Sequence, residues 1–181
     1  MNHSYHPDDY KKALHFAAQA HGDQKVPGTQ LPYLLHLTSV CLEVIGALQN
    51  RPESNADLAI ICALLHDVIE DTEVTFEQVQ RNFGKAVAEG VWALSKDESI
   101  PNDQRLLDSL KRIQKQPAEI GMVKLADRIS NLKAPPHFWS KDKRKRYLTE
   151  SRLVYEMLKS ADAYLAERLL KKIGEYEQYL G

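Results

Sequence analysis

Within six residues, His66 to Asp71, the chain sets one imidazole and three carboxylates directly after the apolar run Ala63-Leu64-Leu65. Buried charge is costly unless it is paired or holds a metal, so this stretch is either a helix end at the surface or a site. Two other residues stand out from their surroundings in the same way. His36 lies between Leu35 and Leu37, and Asp127 follows Val123-Lys124-Leu125-Ala126. The two imidazoles and two carboxylates of His36, His66, Asp67 and Asp127 suit a borderline-hard divalent ion such as Mn2+, Fe2+ or Mg2+. A tetrahedral zinc site would more often draw on thiolates or a third histidine. Taken singly, each residue has an ordinary explanation: a satisfied core histidine, an Asp127 paired with Lys124 or Arg128, a His-Asp at a helix end. Jointly they do not, because an unmetallated interior with His66, Asp67, Glu70 and Asp71 side by side is electrostatically expensive.

Glu70 and Asp71 suggest a second task. If the helix through His66 continues, Glu70 lies one turn beyond it on the same face. A carboxylate beside a metal can orient a water, take its proton, or return one to a leaving group. Glu73 reads as part of a solvated acidic turn.

The elements that must position these groups are helical nearly throughout. Pro7-Asp8-Asp9 opens a helix with the stripe Ala13, Leu14, Ala17, Ala18 and His21. Residues 22–30 form a loop by composition. The pattern then predicts helices over 37–49 and 56–68, the latter apolar nearly all round from Asp57 to Val68 and therefore central. Thr75-x-x-Gln78 has the form of a capping box for a helix burying Phe76, Val79 and Phe83 and ending at Gly84. Helices over 85–94, 104–115 and 118–132 follow, with a polar link over 95–103. Two long amphipathic helices, 141–159 and 161–180, complete the chain. Alternating strand patterns, repeats and domain linkers are absent. The expectation is one all-α domain over 1–181, an irregular bundle of about eight to nine helices.

Bulk properties narrow the function classes. A length of 181 residues suits one domain with a substantial core. With 43% hydrophobic and 27% charged residues and a mean hydropathy of −0.45, the composition is that of a soluble globular protein. A net charge of −1 argues against a general nucleic-acid binder. No apolar stretch has the length of a membrane span, and the polar start Met1 to His6 does not look like a signal peptide. Cys41 and Cys62 sit among aliphatics without a C-x-x-C partner, which predicts buried free thiols and a cytoplasmic setting. Nothing in the sequence fixes an oligomeric state.

The order His36, His66-Asp67, Asp127 matches the H…HD…D pattern of the HD-domain phosphohydrolases. More narrowly, several motifs resemble the hydrolase domain of the RelA/SpoT family. They are Ala20-His21-x-x-Gln24, Pro32-Tyr33-x-x-His36, His66-Asp67-Val68-Ile69-Glu70-Asp71-Thr72 and Lys124-Leu125-Ala126-Asp127-Arg128-x-x-Asn131-Leu132. With no synthetase domain following, the chain looks like the single-domain small alarmone hydrolases. The resemblance implies a helical HD fold and one Mn2+ held by His36, His66, Asp67 and Asp127. It also implies catalysis by Glu70 and Asp71, and removal of the 3′-pyrophosphate from guanosine tetra- or pentaphosphate.

By the same resemblance Asn131 matches a nucleotide-contacting asparagine. Lys143, Arg144 and Tyr147, which follow Trp139-Ser140, fall where relatives place a basic residue and a tyrosine against the nucleotide. Lys124, one turn before Asp127, faces either a phosphate or a ligand carboxylate. Where the family reads Gln-x-Arg-Lys, this chain reads Gln24-Lys25-Val26-Pro27, which leaves Lys25 as the loop's cation and Val26 without one. Two rival functions follow: an HD hydrolase of another nucleotide, such as the 2′-phosphate of NADPH or a nucleoside monophosphate, and a non-catalytic nucleotide-binding HD module. The partner expected in the first two cases is a small-molecule nucleotide, with neither nucleic acid nor membrane.

Overall fold

A computed structural model of the chain describes residues 6–181, so the polar start Met1 to Tyr5 lies outside the described residues. Helix α1 (Pro7–His21) begins with proline in its first turn followed by Asp8 and Asp9, and stops at Gly22. It buries Tyr10, Ala13, Ala17 and His21. Residues 22–33 then fold back on themselves. Val26 N–H donates to the Leu31 carbonyl and Tyr33 N–H to that of Gln24, both at 2.9 Å, around a turn with Gly28 at φ 78°. Among the described residues this loop contributes an isolated bridge between Lys25 and Pro32 and no strand.

Helix α2 (Leu34–Leu48) begins three residues before the expected start, which places His36 in its first turn. Asn55 caps α3 (Ala56–Leu65) by accepting from Leu58 N–H at 3.0 Å, and every residue from Leu58 to Leu65 is buried. The expected helix over 56–68 is interrupted. His66 and Asp67 form a turn, Asp67 with φ −104° and ψ −3°, before a short α4 (Val68–Asp71). One cause is local: His66 Nδ1 donates to the Ala63 carbonyl at 2.8 Å, so the side chain takes an acceptor near the helix end.

The capping box at Thr75 and Gln78 is present and opens α5 (Phe76–Phe83), of which Val79 is buried and Phe76 and Phe83 half-buried. Then come α6 (Lys85–Leu94), α7 (Asn102–Ile113), α8 (Ala118–Asn131), α9 (Lys141–Leu158) and α10 (Ala163–Tyr176), followed by a 3-10 turn, Glu177–Leu180. Helix α10 therefore ends four residues before the expected limit. Among the described residues, nine helices have eight residues or more and α4 is a single turn.

The centre of the bundle is α3, which packs on α1, α2, α6 and α8, while α2 and α8 pack on each other. Close approach of α6 requires Gly90: a Cβ there would meet Ile120 Cδ1 at 2.6 Å and Cys62 Sγ at 3.0 Å. Both cysteines are buried and free, and burial pushes the Cys41 thiol up to about 11. This packing brings the start of α2, the end of α3 and the middle of α8 to one point.

Candidate active site

At that point His36, His66 and Asp67 each offer a ligand atom, all within 4.8 Å of one another. His66 Nε2 lies 2.9 Å from Asp67 Oδ2, and His36 Nε2 lies 3.6 Å from the same oxygen. Asp127 closes the group from α8, its Oδ1 3.4 Å from His36 Nε2 and 3.8 Å from His66 Nε2. The two Nε2 atoms are 3.3 Å apart. Because the Ala63 carbonyl can only accept, Nδ1 of His66 carries a proton, so in the neutral ring it is the Nε2 lone pair that faces the cluster. Two imidazole nitrogens and two carboxylates converging in this way fit a divalent cation.

Within the cluster the imidazoles and carboxylates hold one another in their charged forms. Burial alone would lower His36, but hydrogen bonds to Asp127 and Asp67 outweigh it and hold the imidazole up to about 9. His66 is raised in the same way, with Asp67 overcoming burial. Burial works against Asp67 and Asp127 as anions, yet both lie below the usual carboxylate range. His66 and His36 stabilise Asp67, and Lys124 with His36 stabilises Asp127.

Each carboxylate also has an outer partner. Tyr33 donates its hydroxyl to Asp67 Oδ2 at 2.6 Å; burial and the Asp67 charge raise that phenol far above its ordinary value, so it stays a donor. Lys124 Nζ donates to Asp127 Oδ2 at 3.0 Å and Asn131 Nδ2 to Asp127 Oδ1 at 2.6 Å. Of the two readings of Lys124, the structure shows the pairing with the Asp127 carboxylate. Gln24 donates to Asp71 Oδ2 at 3.3 Å and is itself 2.7 Å from His21 Nδ1. Burial, then the Asp67 and Glu70 charges, raise Asp71.

Glu70 is held by Lys96, whose backbone N–H meets Oε2 at 2.8 Å and whose ammonium meets Oε1 at 2.5 Å. Because of the break at His66-Asp67, Glu70 is not on a continuous helical face with His66. It reaches the site from α4 instead.

These groups line a cavity of about 610 Å³, within the range of small-molecule sites. Its walls include His36, Asp67, Glu70, Asp71, Lys124, Asp127, Asn131 and Tyr147. Three of the other expected substrate contacts lie elsewhere. Lys25 is exposed and outside the lining, whereas the neighbouring Val26, 5% exposed, is part of it. Lys143 stacks over Trp139 at 4.5 Å and lines a separate groove with Asn102, Leu107 and Arg146. Arg144 donates to the Tyr179 carbonyl at 2.8 Å.

His21, Gln24 and Tyr33 stand within sequence motifs without a task of their own, and Lys96 stands in a polar link. Arg128, which lines the cavity and sits 4.4 Å over the Tyr147 ring, entered only as a partner for Asp127. Burial raises Tyr147 to about 12. The sequence signal for Tyr33 was its fixed offset from His36; for Lys96 there was none.

The HD domain model matches residues 13–163, and the chain belongs to the HD domain family. It is similar to guanosine-3′,5′-bis(diphosphate) 3′-pyrophosphohydrolase MESH1 of Danio rerio, 29% identical over 163 residues, covering 87% of this chain and 88% of that one. The guanosine-3′,5′-bis(diphosphate) 3′-pyrophosphohydrolase of Aquifex aeolicus is 31% identical over 156 residues, 84% of this chain but 21% of its own length. A solved structure described as "A metazoan ortholog of SpoT hydrolyzes ppGpp and plays a role in starvation responses" superposes with a TM-score of 0.81 at 26% identity. That match covers 98% of this chain and 99% of the other.

Proposed function

We propose that this chain is a metal-dependent phosphohydrolase that removes the 3′-pyrophosphate from guanosine tetra- or pentaphosphate. The observation that carries the reading is the likeness to the MESH1 and SpoT-type proteins over nearly the full length of both partners. The donor set at the junction of α2, α3 and α8 supports it. His36, His66, Asp67 and Asp127 would hold the cation, with Mn2+ the preferred ion and Fe2+ or Mg2+ the alternatives. When bound, such an ion supplies a Lewis acid and lowers the pKa of a water.

The remaining steps belong to the protein. Glu70 and Asp71 orient the attacking water, take its proton and return one to the ribose 3′-oxygen. The water oxygen bonds to the phosphorus carrying that 3′-oxygen, the P–O bond breaks, and pyrophosphate and the 5′-phosphorylated nucleoside result. Tyr33 and Lys124 hold the ligand carboxylates in place. Asn131 fixes Asp127 and faces the nucleotide, and Tyr147 supplies an aromatic wall. Buried free thiols fit a reducing cytoplasm, and among the described residues no helix is long and apolar enough to cross a membrane.

Val26 favours a second reading on one point. It gives the cavity wall no donor where the family has arginine, so a different nucleotide is the rival substrate. Incubation of the Mn2+-loaded protein with guanosine tetraphosphate, NADPH and nucleoside monophosphates, reading pyrophosphate and phosphate separately, decides between them. The expected result is pyrophosphate from guanosine tetraphosphate; phosphate from another nucleotide and no pyrophosphate would replace the first reading with the second.

A further inference from the structure

Lys96 grips Glu70 twice, and the two grips differ in permanence. The N–H that meets Glu70 Oε2 belongs to backbone just past the end of α6. Ser95 is anchored there by its hydroxyl to the Val91 carbonyl at 2.8 Å and by Arg112 to its own carbonyl at 2.6 Å. That grip stays. The ammonium on Oε1 sits on a flexible four-carbon stem and has three donors. The Lys96 side chain is 41% exposed, and it lines the same cavity as Glu70, Asp71, Asp67 and Asp127.

We propose that Lys96, paired with Glu70 in this structure, is a substrate-contacting residue whose ammonium moves to the outer phosphate of a bound pyrophosphate group. The backbone N–H keeps Glu70 in place while this happens. The inference rests on the reading that the group removed is a pyrophosphate.

The supply of cations argues for it. A pyrophosphate brings several negative charges beside Asp67, Glu70 and Asp71, and needs a cation at that end of the cavity. Lys124 is committed to Asp127 and is 7% exposed; Arg128 is stacked on Tyr147 and is 5% exposed. Val26 offers no charge, and Lys133 comes from the loop after α8 with Pro135 and Pro136. Lys96 is the cation in contact with Glu70. The exchange also serves Glu70, because the ammonium takes one acceptor site on Oε1 and the space around it, and its departure opens that oxygen to a water.

Calorimetric titration of the Mn2+-loaded protein with inorganic pyrophosphate reads this contact without any nucleotide. Lys96→Met is expected to weaken pyrophosphate binding about ten- to a hundredfold and to lower kcat on guanosine tetraphosphate, with Mn2+ affinity held within about twofold. Lys96→Arg, which keeps the charge, is expected to bind pyrophosphate within about threefold of wild type. Equal pyrophosphate affinity in wild type and Lys96→Met overturns the proposal, as does a wild type that binds none. A Lys96→Met protein that loses Mn2+ as much as pyrophosphate also overturns it, since Lys96 would then be a structural prop. A wild type that binds pyrophosphate through Lys96 yet releases none from guanosine tetraphosphate leaves this contact standing and removes the substrate reading instead.

Discussion

The two ends of the cavity are built on different principles. At one end His36 and Asp127 come from helices of the core and His66 from the turn that ends another, and the three are 5%, 6% and 2% exposed. Every carboxylate there has a further partner, from Tyr33, Lys124, Asn131, Gln24 or Lys96. At the other end the walls are the loop over 22–33 and the segment over 133–139, which meet where a Cβ on Gly28 would lie 3.0 Å from Pro136 Cβ. The groups that would do chemistry are thus tied to core packing, while the wall that would meet the rest of a substrate rests on two loops that can change residue by residue. The contrast is open to test.

The largest effect belongs at the core end. Asp67→Ala removes a proposed ligand and leaves the His36 and His66 imidazoles without the carboxylate oxygen they share. It is expected to abolish Mn2+ binding and to cut kcat by about four orders of magnitude or more, as measured by metal titration and pyrophosphate release. Chelation of wild type should match it. Glu70→Gln should separate the two jobs in that acidic stretch: Mn2+ affinity unchanged, turnover about 10²- to 10⁴-fold slower. Full rate in that variant would take Glu70 out of the mechanism.

The same contrast explains what was legible in the sequence. His36, His66, Asp67 and Asp127 could be found because each interrupts an apolar helical period, and that period is set by the core in which they sit. The central place of α3 followed from its unbroken run of apolar residues. The break at His66-Asp67 was not visible, since the apolar period runs on to Val68 and nothing in it marks the bond that His66 Nδ1 makes to the Ala63 carbonyl. Lys96 was invisible for another reason. Its place beside Glu70 is set by how α6 packs on α3 and α4, and no local pattern in Ser95-Lys96-Asp97 reports a contact 26 residues away. Of the basic run from Lys141, Lys143 stacks over Trp139, itself a wall of the cavity, and Arg144 donates to the Tyr179 carbonyl, partners that no local pattern reports.

A smaller effect probes how the core end is tuned. Tyr33→Phe deletes the hydroxyl on Asp67 and is expected to weaken Mn2+ about ten- to a hundredfold, with the fold intact. Proton competition gives the sign of the pH dependence. His36 is held up to about 9 in the metal-free protein, above its ordinary 6.5. Its charged form therefore stabilises the metal-free fold fully below about 6.5, and that contribution is lost as pH rises towards about 9. Metal binding needs the neutral ring, so Mn2+ affinity should climb by at least about tenfold per pH unit across this window, and more steeply where the raised His66 also gives up a proton, while the metal-free melting temperature falls. A flat affinity profile would mean that His36 binds no metal.

The smallest effects lie at the loop end, and they decide whether that end is as replaceable as its construction implies. Lys25 is exposed and outside the cavity lining, so Lys25→Ala is expected to leave KM within about twofold. Val26 lines the cavity with its backbone fixed by Leu31 and Thr29, so a longer side chain there can extend along the wall without moving the turn. Val26→Arg should add a cation within reach of a guanosine polyphosphate and lower its KM by about threefold or more, with kcat unchanged. Such a change in KM alone is the mark of uniform binding, and it would show that specificity can be adjusted without touching the metal end. If Val26→Arg instead lowers kcat and Mn2+ affinity together, the two ends are mechanically coupled through Tyr33, whose backbone N–H is bound to Gln24 and whose hydroxyl is bound to Asp67.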